Sequence, residues 1–147
     1  QVATLGAATT SYASNGLLAS TTYYYRVRAY NSAGNSSYSN TASARTNAAA
    51  LVPAKPTSVA AVNRTDGSAR VTWADASNNE SNFEVRRLTW NAVTSSWGSR
   101  KTVKVAANMI QLIDYSGPGT FRYSVRAVNS AGASSYVGPV SVQVTRK

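Results

Sequence analysis

The chain has 147 residues and a formal net charge of +10, with 15 Lys and Arg against 5 Asp and Glu. It contains no Cys and no His, which excludes disulfides, thiolate metal sites and the usual nucleophile and base pairs of catalysis. The sequence has no apolar run of about eighteen residues and no charged-then-apolar leader, so it predicts no membrane span, while the basic charge favours anionic partners.

The first 46 residues predict an incomplete set of strands. Four segments read as strands between turn residues: 1–5, 10–14, 23–30 and 38–46. In the third segment Tyr23, Tyr25 and Val27 fall on one face, and polar or basic side chains fall on the other. This alternation predicts a strand that is buried on one side only.

A linker is predicted over residues 47–56. Three alanines are followed by Pro53 and Pro56, which lack a backbone N–H donor and have a fixed φ angle. We therefore expect this segment to be extended and stiff.

The remainder, 57–147, predicts a complete all-β unit. Ser, Thr, Val and Tyr are abundant, and turn residues separate the strands at short intervals. Seven strands are expected: 58–63, 69–73, 82–89, 99–105, 109–114, 120–129 and 135–145.

An internal repeat joins the two parts of the chain. Eleven of the fourteen residues from Tyr25 to Tyr38 recur 98 positions later, between Tyr123 and Tyr136. A period near one hundred residues indicates a whole small domain. Because the repeated strand comes early in the first unit and late in the second, the sequence predicts one full unit preceded by the C-terminal part of another.

Motifs along the second unit resemble those of fibronectin type III modules, of the kind found in bacterial secreted or surface proteins. The residues that carry the resemblance are Pro56, Val71-Thr72-Trp73 with Asp75, Asn79-Glu80, Phe83-Glu84-Val85-Arg86-Arg87, Pro118-Gly119-Thr120 and Tyr123-Ser124-Val125-Arg126-Ala127. The resemblance implies an immunoglobulin-like antiparallel β-sandwich, complete over 57–147. It also implies that residues 1–46 correspond only to the strands that this family calls C′, E, F and G.

The alternation together with this resemblance predicts the core. Trp73 is expected between the two sheets, beside Phe121 and other inward-facing side chains: Phe83, Val85, Tyr123, Val125 and Ala127. Leu17 and Tyr23 match the tyrosine corner of the family, in which the phenol hydrogen-bonds to the backbone of the preceding turn. The second unit has Phe121 at that position and cannot form this bond.

Trp90 and Trp97 bracket residues 91–96, the tip of the hairpin between the third and fourth strands of the second unit. One interpretation is a cross-strand aromatic pair that stabilises the hairpin. The other is a surface that stacks on sugar rings or on another aromatic partner.

Arg86, Arg122 and Arg126 are expected on the outer face of the sheet, and Arg26 and Arg28 repeat the arrangement in the first unit. One interpretation is a solvated face on which Glu84 pairs with part of this charge. The alternative is a stripe that binds an anionic ligand.

The loop at 75–82 is rich in oxygen ligands, but only Asp75 and Glu80 are charged, whereas calcium usually takes several carboxylates. Loop capping is therefore preferred, and no metal and no cofactor is predicted. The few acids form no evident close pair, so an enzyme is not expected.

As its function, the resemblance implies a non-catalytic extracellular or cell-surface module pair. It would be a spacer, adhesion or assembly element of a larger secreted, surface or filament-forming bacterial protein. The alternative is an accessory carbohydrate-binding module of a polysaccharide-degrading enzyme, with acidic or neutral polysaccharide as partner. No specific nucleic acid is expected.

A partial first unit raises a question of stability. Without the strands that come first in the family, the inner face of Tyr23, Tyr25 and Val27 would be exposed and strand edges would be open. We therefore expect strands from another chain, or from another copy of this one, to complete the unit.

Overall fold

The computed structural model describes residues 2–146, and every regular element within that range is a β-strand. The chain divides into two compact units, Gln1–Ala49 and Ala50–Lys147. The division between them falls inside the segment predicted as a linker.

The second unit is an antiparallel β-sandwich, as predicted. Its eight strands are β5 (Thr57–Asn63), β6 (Ala69–Ala74), β7 (Asn82–Asn91), β8 (Ser96–Ala106), β9 (Gln111–Asp114), β10 (Gly119–Asn129), β11 (Gly132–Ala133) and β12 (Val137–Val144). One sheet has three strands in the order β5-β6-β9, and the other has the order β8-β7-β10, with both β11 and β12 paired to β10. All seven predicted strands are present, with ends shifted by up to three residues.

The core consists of side chains from β6, β7, β10 and β12. The six residues predicted to face inward are all buried, since none has more than 4% of its surface exposed: Trp73, Phe83, Val85, Tyr123, Val125 and Ala127. The rings of Trp73 and Phe83 lie 5.4 Å apart in a tilted arrangement. Burying one large apolar side chain stabilises a fold by about 1.5–3 kcal/mol, so each of the large residues in this cluster helps to hold the two sheets together.

The second half of the predicted linker is part of this unit. Pro53 and Pro56 are buried. The Leu51 carbonyl accepts hydrogen bonds from the side-chain amides of Asn79 (3.0 Å) and Asn129 (2.8 Å). Residues 50–56 are therefore fixed to the second unit and do not form a spacer of their own.

The first unit has much less regular structure. It contains four short strands: β1 (Thr22–Tyr25), β2 (Tyr30–Asn31), β3 (Gly34–Asn35) and β4 (Ala42–Arg45). β1 pairs with β4, and β2 pairs with β3 in a tight hairpin.

The strands predicted over 1–5 and 10–14 are not formed, because residues 2–21 contain turns and loops but no strand; residue 1 lies outside the described range. The strand predicted over 23–30 is divided between β1 and β2. A strand requires a neighbour to accept its ladder of hydrogen bonds, and the first unit has few strands to offer one.

Where the sequence repeats, the local structure repeats. Thr22 pairs with Arg45 and Thr120 with Gln143, so β1–β4 and β10–β12 share one register at an offset of 98. The turn that follows keeps its hydrogen bonds too. Asn31 accepts from the Ala33 amide at 2.9 Å, as Asn129 does from the Ala131 amide at 2.8 Å.

The environment of the repeated residues differs completely between the units. Val125 is fully buried, whereas its counterpart Val27 has 72% of its surface exposed. No residue in the range 2–49 is buried. Of the three residues expected to be exposed on the inner face of the first unit, Val27 is exposed, whereas Tyr23 and Tyr25 are half-buried.

The predicted tyrosine corner is present in the first unit, where the Leu18 amide donates to the Tyr23 hydroxyl at 2.9 Å. In the second unit Phe121 fills the core, and the polar contact at this end of the sandwich comes from a different residue. Tyr123 donates from its hydroxyl to the Asp114 carboxylate at 2.8 Å. Asp114 also accepts from Arg87 at 2.9 Å and from Ser116.

Candidate functional site: the basic outer face of the larger sheet

The pleat of β7, β8 and β10 places charged side chains on the outer face of the larger sheet. Phe83 and Val85 on β7 and Val125 on β10 face the core. The residues that alternate with them along each strand therefore face outward. Across the strands, Arg126 lies opposite Glu84 and Glu84 lies opposite Lys104. These two pairings form a row of alternating charge.

At the centre of this face Arg126 pairs with Glu84, at 2.7 Å from Nη2 and 2.8 Å from Nε. The hydrogen bond that Arg126 donates to Glu84 raises the pKa of its guanidinium above the ordinary value. Tyr136 lies beside them, with the Arg126 guanidinium 4.6 Å and the Arg86 guanidinium 4.2 Å from the ring centre. One aromatic ring therefore orients two cations.

These residues line an open concavity together with side chains that β8 contributes. The lining residues are Glu84, Arg86, Arg100, Thr102, Lys104, Arg126 and Tyr136. Four cations thus face one carboxylate, and that carboxylate is engaged by Arg126. We call this surface the basic concavity.

The two tryptophans lie within the strands rather than at the hairpin tip, because β7 extends to Asn91 and β8 begins at Ser96. Trp90 faces Trp97 directly across the ladder, with ring centres 5.2 Å apart and planes at 59°. Arg122 lies over the Trp97 ring at 4.3 Å. This arrangement is a cross-strand pair, and its tilted rings do not form one flat platform.

The five predicted site residues therefore form two groups. Arg86 and Arg126 share Tyr136, and Arg122 lies with Trp97 and Trp90. Sequence reasoning missed Arg100, Lys104, Thr102 and Tyr136. The spacing of Arg100, Thr102 and Lys104 at every second position of a strand was the available signal.

The other four acids are engaged away from this concavity. Asp66 pairs with Arg64, and Asp114 pairs with Arg87. Within the 75–82 loop, Asp75 accepts from the Ser77 amide at 3.0 Å, and Glu80 accepts from the Asn108 amide at 3.2 Å. Among residues 2–146 no group of three or more His, Cys, Asp or Glu is placed to hold a metal ion.

The first unit has a smaller version of the arginine and tyrosine contact. Arg28 lies 4.9 Å from the centre of the Tyr38 ring, as its counterpart Arg126 does at 4.6 Å from Tyr136. Arg26 lies over the same Tyr38 ring at 3.9 Å. This unit has no acid in its sequence, so these cations have no carboxylate of their own unit to pair with.

No model of a protein family matches the chain. No curated protein matches it either. Within residues 2–146, no helix is long and apolar enough to cross a membrane.

Solved structures do match. The fibronectin type III domain of human collagen alpha-1(XX) chain is 20% identical, with a TM-score of 0.54 over 68% of this chain and 92% of that domain. The third fibronectin III domain of human KIAA0343 protein is 11% identical, with a TM-score of 0.55 over 65% of this chain and 86% of that one. The FN1-FN3 domains of chicken CNTN1 are 21% identical, with a TM-score of 0.53, and the match covers 92% of this chain and 46% of that structure.

The two-sheet architecture and these likenesses define the class of the fold as an immunoglobulin-like antiparallel β-sandwich. Within that class, the fold is that of fibronectin type III domains.

Proposed function

We propose that this chain is a non-catalytic pair of fibronectin type III units that acts as a spacer, adhesion or assembly element of a larger secreted, surface or filament-forming bacterial protein. The observation that carries the proposal is the contrast between its two units. One is a closed sandwich with a buried core, and the other repeats the β10–β12 pairing in β1–β4 but has no buried residue among 2–49.

A binding or structural role agrees with the chemistry of the chain. His and Cys are absent, and the acids make separate contacts in turns and ion pairs. Hydrolysis by paired carboxylates requires two of them at a defined separation around a substrate. The five acids of this chain are each engaged in a contact of their own.

The assembly role follows from the open edge of the first unit. β10 pairs with both β12 and β7, whereas its counterpart β1 pairs with β4 and has no second neighbour among the described residues. Isolated two-stranded ribbons are marginally stable, and open edges are templates for pairing. We propose that a second copy of the chain supplies the missing neighbour.

A two-fold axis gives both copies the same contact. β1 of one copy would pair antiparallel with β1 of the other, so that two ribbons become one four-stranded sheet with a continuous apolar inner face. The charge of the first unit opposes this association, because Arg26, Arg28 and Arg45 are its only charged residues. Added salt should therefore strengthen the contact by screening that repulsion.

Sedimentation velocity of the whole chain over a range of concentrations tests this proposal. We expect a reversible dimer whose dissociation constant decreases as salt increases. Tyr25→Lys places a charge on β1 and should abolish the dimer. The matched control is Tyr30→Lys, the same change on the hairpin strand β2, which should leave the dimer intact. A monomer at every concentration, or equal effects of both variants, would contradict the proposal.

A further inference from the structure

We propose that the basic concavity is a binding site for the acid groups of a polysaccharide, either carboxylate or sulfate. It lies on the second unit and does not depend on the assembly of the first. The inference rests on the charge of the concavity, on the way its cations are held, and on its lack of an open aromatic face.

The charge of the concavity is uncompensated. Arg86, Arg100 and Lys104 form no salt bridge with any described residue, because the single carboxylate of the lining pairs with Arg126. The other four acids of the sequence are engaged elsewhere. Three cations on one concave surface therefore present a positive field to an anion.

Two of the cations are held in place before any ligand arrives. Arg86 and Arg126 both lie over the Tyr136 ring, and Arg126 is further fixed by Glu84. Arginine groups oriented in this way match the planar geometry of carboxylate and sulfate oxygens.

The aromatic groups of this face favour a polysaccharide over a nucleic acid. Proteins that bind single strands stack the bases on open aromatic faces. Here two guanidinium groups lie over the Tyr136 ring, Arg122 lies over the Trp97 ring, and Trp97 packs on Trp90. These ring faces are therefore not open to a base. Arg100, Thr102 and Lys104 instead offer a polar, exposed row from β8 that can follow a chain of sugar acids.

Titration of the whole chain with defined polymers tests the inference. The probes are polygalacturonate for carboxylate, dextran sulfate for sulfate, neutral dextran, and single-stranded oligothymidylate. Binding is measured by calorimetry at about 10 mM salt, where charges act over about 30 Å, and again at about 1 M, where they act over about 3 Å. We expect one or both acidic polysaccharides to bind at low salt, and neutral dextran not to bind.

A pair of double variants separates a site from general charge. Arg100→Gln with Lys104→Gln removes two cations of the concavity. Arg70→Gln with Arg146→Gln removes two exposed cations outside it and leaves the same net charge. The first variant should weaken binding of the acidic polysaccharide by roughly threefold to thirtyfold, and the second by less than about twofold.

The polygalacturonate and dextran sulfate titrations tell which acid group the site takes. Equal weakening by both double variants would overturn the site, because it would mean binding by net charge alone. Absence of binding to both acidic polysaccharides would overturn it as well. Oligothymidylate binding as tight as that of the better polysaccharide, with the same response to the variants, would overturn the choice of ligand class.

Discussion

The ring of Tyr123 is part of the apolar core, and its hydroxyl makes a polar contact. Tyr123 is fully buried, yet its hydroxyl reaches Asp114, which is also held by Arg87. Alternation along β10 predicts that Tyr123 faces inward. It does not predict the contact with Asp114, because that residue lies on the other sheet and the pairing depends on how the two sheets meet.

Alkaline pH should destabilise the second unit through Tyr123. Burial, followed by the hydrogen bond to Asp114, raises the pKa of the Tyr123 phenol. An unfolded tyrosine loses its proton near pH 10. Below that pH the phenol is protonated in both states. Above it the unfolded chain releases a proton that the native chain keeps, so the free energy of unfolding should fall by up to about 1.4 kcal/mol per pH unit.

Tyr123→Phe tests this prediction. The variant should lose about 1 kcal/mol at neutral pH and should lack the alkaline component. All three tryptophans belong to the second unit, so urea unfolding followed by tryptophan fluorescence reports on that unit. Tyr115→Phe changes a tyrosine with 76% of its surface exposed and should keep the wild-type slope. Identical slopes in wild type and Tyr123→Phe would show that the phenol titrates alike in both states.

Gly138 allows β12 to approach β10 closely. Its φ is +106°, and a Cβ atom there would lie 2.6 Å from the Tyr123 carbonyl oxygen. Gly138→Ala should therefore cost about 1–3 kcal/mol of unfolding free energy, measured from urea midpoints. Gly98→Ala is the control, since a Cβ atom at Gly98 meets no atom within 4 Å. A loss at Gly98 as large as that at Gly138 would contradict the steric explanation.

At the scale of elements, the hairpin of β7 and β8 extends far beyond the core. Trp90 and Trp97 pair near its end, where 37% of the Trp90 surface is exposed. The sequence places both residues near one turn, but it does not distinguish a cross-strand aromatic pair from a surface that stacks on a ligand. That choice depended on the register of the hairpin, which continues to Asn91 and Ser96 and sets the two rings opposite each other.

Trp90→Ala should destabilise the second unit by at least about 0.5–1.5 kcal/mol, the typical contribution of an aromatic pair beyond its buried area, because the covered part of the ring is lost as well. The control is Val93→Ala at the hairpin tip, where 95% of the side chain is exposed and no effect is expected. Circular dichroism during urea unfolding gives both values without relying on the changed tryptophan. A neutral Trp90→Ala would mean that the pair contributes nothing to the hairpin.

Turns were the elements most accurately encoded by local sequence. The repeated Asn and Ser residues make the same backbone contacts in both units, although only one of those turns joins a closed sandwich. Strands depended on partners instead. Segments with a neighbour in the second unit formed as predicted, and the segments predicted over 1–5 and 10–14 did not.

The repeat places nearly the same local sequence in two environments, one buried and one exposed, so the effect of burial on structure can be separated from that of local sequence. The family resemblance and the 98-residue offset predict a full unit preceded by a partial one, and the chain divides into two compact units after Ala49. The lining of the basic concavity could be predicted only in part, because it combines β7, β8 and β10 with Tyr136, and these come together only when the sheet forms.

Protection of two equivalent amides from hydrogen exchange reports directly on the effect of burial. The Ala29 amide donates to the Ser36 hydroxyl at 2.9 Å, and the Ala127 amide donates to the Ser134 hydroxyl at 3.1 Å. The local bond is thus the same, but Ala127 is fully buried and Ala29 is exposed. Amide hydrogen exchange of the dilute whole chain, read residue by residue, compares their protection.

We expect the Ala127 amide to exchange at least about a thousandfold more slowly than the Ala29 amide. The bond of Ala127 breaks only when the sandwich unfolds, whereas that of Ala29 breaks by local fluctuation. Equal protection of the two amides at high dilution would contradict the claim that only the second unit is a closed, independently stable sandwich. It would mean that the first unit is as stable as the second without any partner.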